Sequence, residues 1–206
     1  MRIQKLDRNS RQNLLEDLLK RSPNNYGQYE QGVAEILARV KEEGDAAVFA
    51  YTQKFDHALI HSGNVQVTEA EIKEAYNQVD DSFVGIIGKA LHNIRNYHEK
   101  QRRYSWFDSK PDGTILGQKI TPLQRVGVYV PGGKAAYPSS VLMNIVPAQV
   151  AGVEEIIMVT PPGKDGKVNP NTLVAAHEAG ATAIYKVGGA QAVGALAYGT
   201  ESNPKV

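Results

Sequence analysis

The chain has 206 residues, of which 42% are hydrophobic and 22% charged, and its formal net charge is +1. That balance allows one or two domains with real cores and gives no electrostatic case for nucleic acid or a membrane surface as partner. No cysteine occurs, which excludes a disulfide framework, a thiolate metal site and a catalytic cysteine within these residues.

In chain order, the first segment, MRIQKLDRNSRQNLL, begins with charge but has no apolar stretch of signal-peptide length, and no run approaches a membrane span. A soluble, cytoplasmic protein is the expectation. The first hundred residues read as helices. Residues 29–43 put Tyr29, Val33, Ile36, Leu37 and Val40 on one face at spacings of three and four. Gly44 suits a helix stop and Asp45 the cap of a next helix with Val48, Tyr51 and Phe55 inward. Thr68-Glu69-Ala70-Glu71 fits a capping box, opening a helix that carries Ile72, Ala75, Tyr76 and Val79. Ser82 is placed to cap a longer helix running to about Arg103, striped by Phe83, Ile86, Ile87, Leu91 and Ile94. Val65 to Val67 is the one short strand candidate in this part.

Residues 104–130 change character. Trp106-Phe107, Pro111-Asp112-Gly113 and Thr114 to Ile120 predict a hairpin. Pro122 breaks the run, and Arg125 to Val130 is a near-continuous apolar strand, as buried parallel strands are. Three strand–loop–helix alternations follow: 126–130 with a helix from about Ser139 to Ala151, Glu155–Thr160 with Asn171–Ala179, and Ala183–Val187 with Ala190–Tyr198. Such alternation predicts a parallel sheet with helices on its faces.

In an open α/β sheet ligands bind beyond the carboxyl ends of the strands. Three loops fall there: Pro131 to Pro138, Pro161 to Pro170, and Gly188 to Gln191. Glycines in the first and third admit a ligand close to the backbone, and equally serve tight turns. No G-x-G-x-x-G follows any strand, and no acidic residue stands in an obvious ribose-binding position. The stretch Val128 to Ala135 nearly matches a P-loop, but Val128 replaces its first Gly and Ala135 its Ser/Thr, which argues against a P-loop kinase or ATPase. The five histidines form no metal pattern: His57 and His61 are four apart but end in turn residues, and His92, His98 and His177 read as solvated or capping. Glu42-Glu43, Asp80-Asp81 and Glu154-Glu155 read as surface charge, and Ser139-Ser140 as a helix cap rather than a nucleophile.

Val126-Gly127-Val128-Tyr129-Val130-Pro131-Gly132-Gly133, Tyr137-Pro138-Ser139-Ser140-Val141-Leu142-Met143, and Val187-Gly188-Gly189-Ala190-Gln191-Ala192-Val193 through Gly199-Thr200-Glu201-Ser202 to Pro204-Lys205-Val206 resemble histidinol dehydrogenase in order and spacing. The helical part is similar to that family too, at Gly44-Asp45-Ala46-Ala47 and Tyr51-Thr52-Gln53-Lys54-Phe55-Asp56. The resemblance implies an α/β fold of aldehyde-dehydrogenase-like architecture, an incomplete Rossmann-like parallel sheet preceded by a largely helical N-terminal region. Residues 1–123 would belong to a first incomplete Rossmann-like domain and 124–206 to a second, NAD-binding one. It further implies NAD as cofactor, L-histidinol as substrate oxidised to L-histidine through an aldehyde, a homodimer, and contacts to NAD from Tyr129 and Gln191. The family's zinc ligands, its Glu-His catalytic pair and a third NAD-contacting residue would follow Val206, so no catalytic or metal-binding residue is expected within this chain, which looks like the N-terminal part of such an enzyme and inactive alone. Two other readings stay open: an aldehyde-dehydrogenase-like oxidoreductase fragment, against which the GGAQA and GTES-x-PKV runs argue, and a non-catalytic nucleotide-binding or oligomerisation module.

Overall fold

The computed structural model describes residues 7, 9–11, 27–132 and 136–206. Two compact units divide the chain, residues 1–35 and 36–206. Helix α1 (Gly27–Glu43) belongs to both. Its Val40 is buried, whereas Tyr29 and Val33 near its start are exposed although they share its apolar stripe. Helix α2 (Asp45–Asp56) follows at once. Gly44, not Asp45, is its N-cap residue, with φ 57. Val48 and Tyr51 face inward as the spacing predicts, but Phe55 is exposed and stacks on Tyr51.

Helix α3 (Glu69–Gln78) starts on the expected capping box: the Thr68 hydroxyl accepts the N–H of Glu71 and the Glu71 carboxylate accepts that of Thr68. Helix α4 (Asp81–Glu99) is capped by Asp80, two residues before the predicted Ser82, because the Asp80 carboxylate accepts the Ser82 N–H at 2.8 Å. Of its stripe Ile87 is buried and Ile86 exposed. The hairpin β1 (Trp106–Ser109) and β2 (Ile115–Gln118) pairs antiparallel about the Pro-Asp-Gly turn.

The strands β3 (Arg125–Tyr129), β4 (Glu155–Thr160) and β5 (Ala183–Lys186) form a parallel sheet in that order, Arg125 opposite Glu155 and Ile157 opposite Ala183. Helices α5 (Pro138–Ala151), α6 (Pro170–Ala179) and α7 (Gly189–Tyr198) alternate with them. The predicted α/β alternation is therefore present. Pro138 opens α5 at a position where its missing N–H costs nothing, and Gly152 and Gly180 end α5 and α6 in left-handed conformation. Ser139 and Ser140 do not cap α5; its N-cap residue is Tyr137, without a side-chain bond.

Side chains alternate across a strand, and the sheet is covered on both faces. Val128, Ile156, Met158 and Ile184 pack against α3, α4, α5 and α6. Ile157, Val159, Tyr185 and Val187 pack against Val40, α2, the loop through Ile60 and α7. Val65 to Val67 lies along the β5 edge, where Val67 N–H donates to Ile184 and Lys186 N–H to Val65, with Gln66 bridging Tyr185 antiparallel. The β3 edge has no strand partner among the described residues.

Candidate functional site at the carboxyl ends of the strands

Two of the three sheet helices lie on one face and α7 on the other. This change of face carries the chain from β5 back over β3. The Leu196 side chain stands where a Cβ on Gly127 would be, 2.8 Å away, and Val206 comes within 3.0 Å of the same point. In an open α/β sheet ligands bind beyond the carboxyl ends of the strands. Tyr129 is the last residue of that strand.

Because Val128 and Val130 point into the α5 side of the core, Tyr129 points to the α7 side. The residue is 39% exposed. The Tyr129 hydroxyl accepts the N–H of Gly189, the first residue of α7, at 3.3 Å. Gln191 lies two residues further along the same turn. The fold thus brings Tyr129 and the start of the Gln191 helix together across 60 positions of sequence.

Gln191 is 1% exposed, and neither its amide nitrogen nor its amide oxygen has a hydrogen-bond partner among the described residues. Burying an amide unpaired costs roughly 1–3 kcal/mol. The amide folds back over Gly189, where a Cβ would come to 2.6 Å of the Gln191 oxygen, and Gly189 has φ 64. Gly132 and Gly188 have another task. A Cβ on Gly132 would meet the Pro161 ring at 2.8 Å, and one on Gly188 would meet it at 2.5 Å. These two glycines let the loops after β3, β4 and β5 close on one proline, so their presence is explained by loop packing. The unpaired amide of Gln191 remains the feature that packing does not explain. Gly133, Lys134 and Ala135, which complete the near-miss to a P-loop, lie outside the described residues.

The sheet's other face carries an ion pair the sequence reading missed. Lys186, at the end of β5, is 4% exposed and its ammonium donates to the Glu71 carboxylate. Burial pushes the Glu71 carboxyl up, but hydrogen bonds from Lys186 and Thr68 outweigh it and hold the group below the usual carboxylate range. Because side chains alternate across a strand, Lys186 shares a face of β5 with the buried Ile184.

The histidines do other work. His57 adopts φ 58 at the C-cap of α2, so it shares no helix face with His61, whose Nδ1 accepts the Gly63 N–H at 3.1 Å. His177 Nδ1 stands 2.9 Å from the Tyr76 hydroxyl, which also donates to Glu178. Among the described residues no three His, Asp or Glu side chains gather to hold a metal ion. No helix among them is long and apolar enough to cross a membrane.

A three-layer open α/β sheet, with helices on both faces, is the architectural class. Residues 19–206 match the family model of histidinol dehydrogenase, and the chain belongs to that family. It is 59% identical over 167 residues to the histidinol dehydrogenase of Heliobacterium mobile, covering 81% of this chain and 39% of that one. It is 57% identical over 170 residues to the histidinol dehydrogenase of Bacillus subtilis (strain 168), covering 82% of this chain and 39% of the relative. The crystal structure of histidinol dehydrogenase from Elizabethkingia anophelis superimposes with a TM-score of 0.81 at 35% identity, covering 86% of this chain and 41% of that one. The chain spans about 40% of the length of the relatives it matches.

Proposed function

We propose that these residues form the dinucleotide-holding portion of an NAD-dependent histidinol dehydrogenase, an oxidoreductase of histidine biosynthesis that converts L-histidinol to L-histidine through an aldehyde. The observation that carries the reading is the buried, unpaired amide of Gln191, two residues from the Tyr129–Gly189 contact. An amide offers both a donor and an acceptor, and an aromatic ring offers a flat face and a hydroxyl. These groups fit a dinucleotide laid across the end of β3. When bound, NAD supplies the hydride acceptor. Tyr129 and Gln191 hold and orient it, and burial of the Gln191 amide excludes water from that contact. On this reading residues 124–206 are a Rossmann-like, NAD-binding domain and residues 1–123 part of another. The protein works as a cytoplasmic homodimer.

Among the described residues no set of zinc ligands gathers. No step is derived through a metal.

Calorimetric titration with NAD tests the reading. Gln191→Ala and Tyr129→Ala should each weaken binding by a factor of a few to about tenfold, the value of one neutral hydrogen bond. Unchanged affinity in both variants overturns the assignment. The same 206 residues should give no histidinol-dependent NADH, because orientation against a placed base is what drives hydride transfer; turnover by the pure chain contradicts this.

A further inference from the structure

A cleft of about 580 Å³ opens at the amino end of β5, the opposite end of the sheet from Tyr129. Ligand pockets run from about 300 to 1,000 Å³, so a small molecule fits it. Val67, Ile72 and Ile184 give it an apolar side, and the rings of Tyr76 and His177 form a wall, edge to face with centroids 5.6 Å apart. That wall is held by its own contacts, since the Tyr76 hydroxyl is hydrogen-bonded to both His177 and Glu178. Thr182, also on the cleft, is engaged too: its hydroxyl accepts the Ile156 N–H and donates to the Ile156 carbonyl.

The charges left over are one of each sign. Glu69 and Lys73 line the cleft from α3, four positions apart. Glu before Lys at this spacing is the favourable order for a helical ion pair. The two form none, and neither has a partner among the described residues. A backbone donor and acceptor stand beside them. The Val65 carbonyl and the Val67 N–H are used on β5. In an antiparallel pairing alternate residues turn these groups the other way, so the N–H and C=O of Gln66 face away from β5. Neither has a partner among the described residues, and Gln66 lines the same cleft.

We propose that this cleft binds a free α-amino acid with an aromatic or large apolar side chain. Lys73 takes its carboxylate and Glu69 its ammonium, while the side chain packs on Val67, Ile72 and Ile184 against the Tyr76–His177 wall. One unengaged cation and one unengaged anion match a zwitterion. A simple acid would set its carboxylate near Glu69, and a simple amine its ammonium near Lys73, each without compensation. The site is separate from the Tyr129–Gln191 contact and does not depend on the NAD reading.

The test is NMR titration of the chain with L-phenylalanine, with 3-phenylpropionate, which lacks the ammonium, and with phenethylamine, which lacks the carboxylate. L-Phenylalanine should saturate, moving the amide signals of Val67, Ala183 and Ile184 and sparing those of Gly189 to Gln191. Each analogue should bind about three- to tenfold more weakly. Lys73→Met should weaken L-phenylalanine by about that factor without weakening phenethylamine, and Glu69→Gln should weaken it without weakening 3-phenylpropionate. Both residues are exposed, so the fold is retained. Failure of L-phenylalanine to saturate overturns the proposal, as does unchanged affinity in both variants. Equal affinity for all three compounds overturns it by reducing the cleft to an apolar pocket. Shifts centred on Gly189 to Gln191 overturn it by placing the ligand beside Tyr129.

Discussion

The hairpin and the parallel sheet are built from strands of similar length, yet they are held by different forces. Every residue of β1 and β2 is exposed, including Trp106, Phe107, Ile115 and Leu116. In β4 every residue after Glu155 is buried. The hairpin owes its shape to its turn: Asp112 accepts the Thr114 N–H at 2.9 Å, Gly113 takes φ 88, and Lys110 N–H donates to Thr114 at 2.8 Å. The sheet owes its shape to two apolar layers supplied from far along the chain. A two-stranded hairpin alone is marginal in water, so the stability of the unit at residues 36–206 should reside in the layers around β4 and hardly at all in the hairpin.

The sharpest way to break that contrast is the ion pair at the end of β5. Glu71→Ala leaves the Lys186 ammonium buried without a counter-charge and also removes half the capping box of α3. The expected cost is about 2–3 kcal/mol in urea unfolding. Phe107→Ala in the hairpin should stay within about 0.5 kcal/mol. Glu71 is held below its ordinary pKa, so its contribution is present above the unfolded value and is lost as pH falls through the folded one. The gap between wild type and Glu71→Ala should therefore close in acid. Equal losses in the two variants at neutral pH would show that the hairpin is not the weaker region.

A smaller effect concerns how α7 is fastened. The Glu201 carboxylate accepts the N–H of Asp45 at 2.9 Å, and Asp45 in turn accepts the N–H and hydroxyl of Ser202. A Cβ on Gly44 would fall 2.6 Å from a Glu201 carboxylate oxygen, so a side chain there would push that carboxylate aside. A side chain 156 positions away thus caps α2. Glu201→Ala should cost about 1 kcal/mol, as lost helix caps do. Thermal unfolding unchanged to within a degree would mean that the latch contributes nothing.

This latch shows where reading the sequence reaches its limit. The hairpin, the Thr68 capping box and the alternation of β3, β4 and β5 with their helices are all legible, because turn chemistry and periodicity are local. Tyr129 and Gln191 were picked out by family likeness, and the structure sets Tyr129 against the first turn of α7. Burial is another matter. Phe55 and Ile86 lie on apolar stripes and are exposed, because a stripe says which face is inward but not how far along the helix the neighbour extends. The cap of α4 moved from Ser82 to Asp80 because both are good caps and only the backbone path chooses. The Glu74–Lys167 ion pair was invisible for the same reason as Glu201: the two residues lie 93 positions apart, and only the fold brings them together.

The smallest expected effect lies at the end of α2 and runs in the opposite direction. Asp56 closes that helix with a carboxylate, where the carbonyl ends of the backbone already carry partial negative charge. Its Oδ2 is buried without a partner among the described residues. Burial pushes the Asp56 carboxyl above its usual range, with His57 pulling weakly the other way. A carboxyl whose folded pKa exceeds its unfolded value binds its proton more tightly in the native state. Its contribution to stability is most favourable below the unfolded pKa and falls as pH rises through the folded one. Asp56→Asn removes the charge and keeps the shape, so it should stabilise the protein by about 0.5 kcal/mol at neutral pH. The gain should fade as pH drops and wild-type Asp56 becomes protonated. Urea midpoints of the two proteins from neutral pH down into the carboxylate range measure this directly. A gain that stays constant with pH would place its origin in packing or helix propensity, and a loss at neutral pH would mean that the carboxylate has a stabilising partner in solution.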